Sequence, residues 1–214
     1  MNIGILGSGS VGLTLGKAWI NQGHEVIFGV RDPTSDKVKP LVDGKGRVAT
    51  ISETAIASDL VALTVPWEAV PEVLAQAGDL DNKICLDCTN PLVANKLHEM
   101  ASLTTSGGEQ VVAWLPKARV VKIFNTVGWE IMAQPQFGTE AATMFYAGDD
   151  TEAKAIAAQL AREIGFETTL AVSAEQRDAG GISAAGYLEN LAGFWGQLVY
   201  GQGMGRTIGW RLLK

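Results

Sequence analysis

The first dozen residues, Met1-Asn2-Ile3-Gly4-Ile5-Leu6-Gly7-Ser8-Gly9-Ser10-Val11-Gly12, decide the fold. Met1 to Leu6 reads as a short buried strand, Gly7 to Gly12 is a G-x-G-x-x-G, and Leu13 to Gln22 reads as a helix. Strand, glycine turn and helix in that order are the context in which this motif holds a dinucleotide. Gly7 permits the tight turn, Gly9 lets the backbone approach a pyrophosphate, and Gly12 lets helix and strand pack closely. The open amides and positive end of the helix then face the phosphates.

Further along, strand and helix keep alternating. Strands are predicted at Glu25–Gly29, Arg47–Thr50, Leu60–Val65, Lys83–Cys88, Val120–Phe124 and Thr143–Ala147. The unbroken apolar run Leu60–Val65 has the pattern of a parallel strand buried on both faces. Helices are predicted from Ser52-Glu53-Thr54 onward, at Pro71–Ala77 and at Gln110–Leu115. Arg31–Gly46 reads as turn-rich with room for a short helix, and Val93–Leu103 as a loop or short helix. The order predicts an α/β fold, a Rossmann-type doubly wound parallel sheet.

After Gly148 the character changes. Thr151 reads as the cap of a helix with apolar positions Ala153, Ile156, Ala157, Leu160 and Ile164, stopped at Gly165. A strand at Phe166–Leu170, a loop at Ala171–Ser183 and a long helix at Ala184–Tyr200 follow. That helix carries a stripe of Tyr187, Leu188, Leu191, Phe194, Trp195, Leu198 and Val199, suited to core packing or to a subunit interface. The expected organisation is a Rossmann domain over 1–148 and a small, largely helical C-terminal lobe over 149–214.

With 214 residues, 47% of them hydrophobic, the chain can fill a sizeable core. Its net charge of -6 argues against a nucleic-acid surface, and no apolar run reaches membrane-spanning length. Without a basic leader, the expected location is the cytoplasm. Cys85 and Cys88 form a C-x-x-C on a predicted strand. Residues three apart on a strand point to opposite faces, so neither a shared metal nor a disulfide is expected.

Open parallel sheets bind ligands beyond the carboxyl ends of their strands. Five such ends should converge: Gly7-Ser8-Gly9, Val30-Arg31-Asp32, Thr64-Val65-Pro66-Trp67, Thr89-Asn90-Pro91 and Phe124-Asn125-Thr126. Arg31 arrives where a NAD site usually places a carboxylate, and its guanidinium suits a 2'-phosphate, so NADP is expected rather than NAD. Trp67 offers an aromatic wall, and Asn125 a hydrogen bond to a nicotinamide carboxamide. His24 and His98 read as surface residues without a carboxylate partner, and Lys122 as a solvated or structurally paired lysine rather than a proton donor. No catalytic residue and no metal site is assigned. Hydride transfer between two flat rings needs alignment more than acid–base groups.

Six stretches occur in order: G-I-L-G-S-G-S-V-G, G-V-R-D, T-V-P-W-E at Thr64–Glu68, V-V-K-I-F-N-T-V-G at Val120–Gly128, F-Y-A-G-D-D at Phe145–Asp150, and G-Q-G-M-G at Gly201–Gly205. Together they resemble the coenzyme F-420-dependent NADP oxidoreductase family. The resemblance implies that Ser8, Gly9, Ser10 and Val11 hold the pyrophosphate and Arg31 the 2'-phosphate. It implies that Thr64, Val65, Pro66, Asn90 and Pro91 line the path to the nicotinamide, with Asn125 and Val127 beside its ring. It places Met204 and Gly205 near a deazaflavin or flavin acceptor, and implies a homodimer built through the C-terminal lobe. The chain departs from the family pattern at Asp178-Ala179-Gly180-Gly181-Ile182, which lacks a proline, at Gly186 in an arginine's place, and in an insertion over Leu170–Arg177, all on the acceptor side. Reduction of a small imine or carbonyl, ferric or flavin reduction, and a non-enzymatic NADP(H) sensor are the alternative readings.

Overall fold

The computed structural model describes residues 1–35, 46–93, 96–101, 103–170 and 182–212. Its strands, in chain order, are β1 Asn2–Leu6, β2 Glu25–Val30, β3 Arg47–Thr50, β4 Leu60–Leu63, β5 Ile84–Asp87, β6 Leu92–Val93, β7 Lys96–Met100, β8 Arg119–Ile123, β9 Gln136–Phe137, β10 Glu140–Ala141, β11 Thr143–Gly148 and β12 Glu167–Leu170. Eight of them form one sheet in the order β12-β11-β8-β5-β4-β1-β2-β3. The helices are α1 Ser10–Asn21, α2 Ile51–Ala57, α3 Val70–Ala77, α4 Gly107–Trp114, α5 Trp129–Ala133, α6 Thr151–Glu163 and α7 Ala185–Gly196.

The sheet is covered on both faces. On one face Ile3, Ile5, Phe28, Leu86, Val121 and Ile123 pack against Leu15 and Trp19 of α1 and Leu160 of α6. On the other, Leu6, Val61, Leu63, Cys85 and Val120 pack against Ile51, Val70, Leu74, Val111 and Ala185. Cys85 and Cys88 lie in opposite clusters, as strand alternation requires. Both thiols are free and buried, and burial pushes both well above the ordinary range.

Side-chain caps set several helix starts. Thr50 and Glu53 form a capping box on α2, and Ser106 and Glu109 another on α4. Helix α1 begins at Ser10 rather than Leu13, because the second half of the glycine motif is its first turn. Asp150, not Thr151, caps α6, its Oδ1 accepting from the Ala153 amide at 2.7 Å.

Other readings are corrected. The strand over 143–147 is not parallel: β11 runs antiparallel to β8, with Tyr146 opposite Ile123, and β12 then pairs parallel to β11. Between β8 and β11 the helix α5 has five residues, about 7 Å at 1.5 Å per residue, too short to carry the chain back along β8. Among the described residues of 93–103 there is no helix: Val93 and Lys96–Met100 lie in the antiparallel pair β6–β7, and next to it the Ala101 amide donates to the Pro91 carbonyl at 2.7 Å. His24 is not an unpartnered surface group: its Nε2 lies 2.7 Å from Glu163 Oε2 and its side chain is 10% exposed. The readings of a helix within 36–45, of the His98 side chain, and of the loop, the insertion and the altered pattern within 171–181 lie outside the described residues.

Residues 149–170 continue the sheet through α6 and β12. The helical C-terminal part starts, among the described residues, with a 3-10 turn at Ile182–Ala184. The long helix ends as α7 at Gly196 and loosens into a π turn over Gln197–Gly201. Its apolar stripe splits: Leu188, Trp195 and Val199 are buried, whereas Tyr187 and Phe194 are 69% and 55% exposed. The tail then returns to the sheet. The Trp210 carbonyl accepts from the Thr143 amide, and the Trp210 indole donates to the Thr126 carbonyl at 2.8 Å. No described helix is long and apolar enough to cross a membrane.

Candidate functional site

The glycine turn is held by close packing. Gly7 has φ +120°, and its amide donates to the Gly29 carbonyl. A Cβ on Gly12 would lie 2.2 Å from the Gly7 carbonyl oxygen and 2.7 Å from Thr64 Oγ1. Thr64 Oγ1 in turn donates towards the Leu6 and Gly7 carbonyls at 3.2 and 3.1 Å, tying the end of β4 to the turn. Gly9 is the N-cap of α1 and gives it no side-chain cap, and no acidic residue stands in its first turn. A Cβ on Gly9 would meet nothing within 4 Å. The start of α1 therefore leaves its amides open beside empty space, a cradle for an anion.

Three adjoining hollows run across the strand ends. The first, about 310 Å³, is lined by Gly7, Ser8, Gly9, Arg31, Thr64, Val65 and Pro66, with Glu68 and Glu72 at its far wall. The second, about 720 Å³, shares Gly9 and Thr64–Pro66 with it and adds Ser10, Val11, Trp67, Thr89 and Asn90. The third, about 220 Å³, shares Val11 and Asn90 with the second and adds Asn125, Val127, Trp129, Trp195, Tyr200 and Arg206. The five strand ends named from the sequence thus open onto one continuous crevice.

Arg31 is exposed at the first hollow. Its neighbour Asp32 turns away: Asp32 Oδ1 accepts from Thr34 Oγ1 at 2.6 Å and from the Thr34 amide at 2.9 Å. The Thr34 hydroxyl, more than any other group, holds that carboxyl below its usual range. Arg31 thus lines the hollow while the adjacent carboxylate is engaged by Thr34.

At the other end, Asn90 and Asn125 clasp each other. Asn90 Nδ2 donates to the Asn125 carbonyl at 2.8 Å, and Asn125 Nδ2 donates to Asn90 Oδ1 at 3.0 Å. Phe124, at φ +63°, makes the bend that presents Asn125. Asn125 Oδ1 is buried without a protein partner, an acceptor available to a ligand N–H. Pro91 is buried, its carbonyl accepts from the Ala101 amide, and it lines none of these three hollows. Trp67 packs on Trp114, ring centroids 5.5 Å apart, as one wall of the second hollow.

Met204 and Gly205 are exposed and line none of these three hollows. The C-terminal wall is built from residues not anticipated in the sequence. Arg206 is bonded to Glu130 and to the Tyr200 hydroxyl, and its guanidinium lies 5.5 Å from the Trp195 ring centroid. Glu130 is the main group raising its pKa. The available signal was an arginine directly after the G-Q-G-M-G stretch.

Lys122 is neither solvated nor at the crevice surface. It is fully buried, with Nζ 3.0 Å from Asp87 Oδ2 and 3.1 Å from Glu189 Oε1. Burial lowers its pKa, but the two carboxylates reverse this and leave it raised. Asp87 Oδ1 also accepts from the Thr89 amide and hydroxyl. Glu189 accepts from the amides of Gly107 and Gly108, both at 2.9 Å, at the start of α4.

Sheet order and crevice define a Rossmann-type dinucleotide-binding fold. A family model described as "NADP oxidoreductase coenzyme F420-dependent" matches residues 2–91. The F420-dependent NADP reductase of Methanothermobacter thermautotrophicus is 27% identical over 180 residues, 77% of either chain. The metalloreductase STEAP3 of Rattus norvegicus is 28% identical over 165 residues; the chain spans about a third of that relative's length, 32%. A crystal structure of a candidate F420-dependent NADP reductase from Arthrobacter sp. FB24 superposes with a TM-score of 0.87 at 29% identity, over 100% of both chains. A reductive aminase from Aspergillus terreus shares the fold alone, at TM-score 0.64 and 22% identity over 92% of this chain and 62% of its own. Over residues 2–91 the chain is similar to the F420-dependent NADP oxidoreductase family, and over its whole length to a structure described as a member of it.

Proposed function

We propose that this protein transfers hydride between NADP(H) and a flat acceptor, the deazaflavin F420 or a flavin. The observation that carries this reading is the continuous crevice from Arg31, past the α1 amides, to the hollow walled by Trp195 and Tyr200. Ser8, Gly9, Ser10 and Val11 would hold the pyrophosphate, and Arg31 the 2'-phosphate. Asn125 Oδ1 would accept from the carboxamide, fixing which face of the nicotinamide meets the acceptor. Val11, Val127 and Trp195 exclude water from the gap. NADPH supplies the hydride, and the chain's own residues bind and orient.

A second reading, reduction of a small imine or carbonyl, is favoured by one feature. The Tyr200 hydroxyl stands in the acceptor hollow against the Arg206 guanidinium, where a proton donor for such a substrate would sit. The relatives' names point to different acceptors, so a panel decides: F420, FMN, a ferric chelate and a cyclic imine, each with NADPH. Tight NADPH binding with no turnover on the whole panel would instead favour an NADP(H) sensor.

Arg31→Ala is expected to cost about 1.5–3 kcal/mol of NADPH affinity, the scale of charge-assisted hydrogen bonds, and to leave NADH binding unchanged. Fluorescence titration with both nucleotides measures this. Equal native affinity for the two, unaltered in the variant, would refute the 2'-phosphate assignment.

We also propose that residues 149–214 supply the acceptor side and a homodimer contact through α7, supported by the outward Tyr187 and Phe194. Tyr187→Asp combined with Phe194→Asp should then give a monomer in sedimentation velocity. A dimer that survives the pair of changes would place the contact elsewhere.

A further inference from the structure

The buried cluster of Lys122, Asp87 and Glu189 joins three parts of the molecule at one point. Lys122 belongs to β8, the strand whose end bends at Phe124 to present Asn125. Asp87 closes β5, and through Thr89 it fixes the turn that delivers Asn90 to Asn125. Glu189 belongs to α7, the helix that carries Ala192 and Trp195 into the third hollow. Each carboxylate has one oxygen on the lysine and makes further bonds to groups that set a backbone position. The lysine lines none of the three hollows, so proton transfer to a ligand there is not its role.

Replacing such a cluster by apolar groups of similar volume often costs a protein nothing in stability. Its effect on geometry is therefore of more interest than its energy. A flexible ammonium with three donors, held by two carboxylates from different elements, fixes the distance between those elements. Here the two elements are the floor of the nicotinamide end and the wall of the acceptor end.

We propose that Lys122, Asp87 and Glu189 are positioning residues that set the gap between nicotinamide and acceptor, by locking the Asn90 turn and helix α7 to the same strand. This rests on the reading of the crevice as a hydride-transfer site. Hydride transfer depends steeply on that gap, whereas grip on the nucleotide phosphates, at the other end of the crevice, does not.

The test uses the full chain and two variants. Glu189→Gln keeps shape and some of the Gly107 and Gly108 bonds but frees α7 from the lysine. The isosteric neutral variant, Asp87→Asn with Lys122→Met and Glu189→Gln, strands no charge and keeps a second folded form in hand. In both, kcat should fall roughly 10- to 100-fold, the scale of a displacement of up to 1 Å, with the Kd for NADPH unchanged. The fluorescence lifetime of bound NADPH, which reports how firmly the nicotinamide is held, should shorten in both. Recovery of the native melting temperature in the neutral variant, without recovery of kcat or lifetime, would establish positioning. Native kcat and lifetime in that variant would overturn it and leave the cluster a stability element only. If the native protein turns over no acceptor, the hydride reading fails, and the lifetime still decides the role of the cluster.

Discussion

Gly12→Ala should lose both NADPH affinity and stability, whereas Gly9→Ala should lose affinity alone. The two glycines stand three residues apart in one motif and do different physical work. At Gly12 a methyl group would press on a backbone oxygen at 2.2 Å, which cannot rotate aside as a side chain can. The turn must move, and with it the hydroxyl of Thr64 that bridges β4 to it. Overpacking of this kind costs about 1–3 kcal/mol. If the displaced turn meets the pyrophosphate with the same deficit, affinity falls about 10- to 100-fold. At Gly9 the added methyl enters empty space in the protein, so the melting temperature should match the native one. That space is where the pyrophosphate would lie, so binding should still weaken. Thermal unfolding and NADPH titration of both variants check this, and a native melting temperature for Gly12→Ala would show that the turn yields freely.

Lys122→Met should destabilise the fold by about 3–5 kcal/mol, the cost of removing one partner from a buried ionic group. Methionine matches the length of lysine and fills the same space, so the loss reports the stranded Asp87 and Glu189 rather than a cavity. Denaturant unfolding measures it. Buried carboxylates without a cation are better tolerated protonated, so the deficit should shrink as the pH falls. In the native protein the lysine's own contribution has the same sign but lies in a different pH window. A lysine with a raised pKa contributes its stabilisation fully below the ordinary lysine range and loses it only as the pH rises above that range. A deficit of less than about 1 kcal/mol, the scale of an exposed pair, would mean that the carboxylates find other partners or water.

The glycine-turn end of the crevice was legible because its geometry is set by the backbone. Gly7, Gly9 and Gly12 are demanded by conformation and contact, and the unbroken apolar strands leave little freedom in how the sheet is wound. The antiparallel β11 was not legible, since the direction of a strand depends on where its connection crosses and not on its own residues. The far end of the crevice depends on side chains brought together from far apart in sequence, such as Arg206 with Glu130. Glu189 did leave a trace. It lies four residues after Ala185 and three before Ala192, both buried, so it is a carboxylate on the inward face of an apolar helix. Asp87 and Lys122 are likewise ionisable residues near the ends of strands that are otherwise apolar. Burial of three such residues is costly unless they meet, and reading them together would have located the cluster.

The two cysteines make the protein its own unfolding reporter. One thiol is sealed in each of the two layers, and neither reacts until its layer opens. A thiol-reactive mass tag added under native conditions should therefore modify each cysteine at the rate at which its own face of the sheet separates from its helices. With NADPH present, the ratio of the two rates would tell which layer a bound nucleotide tightens, without any label having been engineered into the chain.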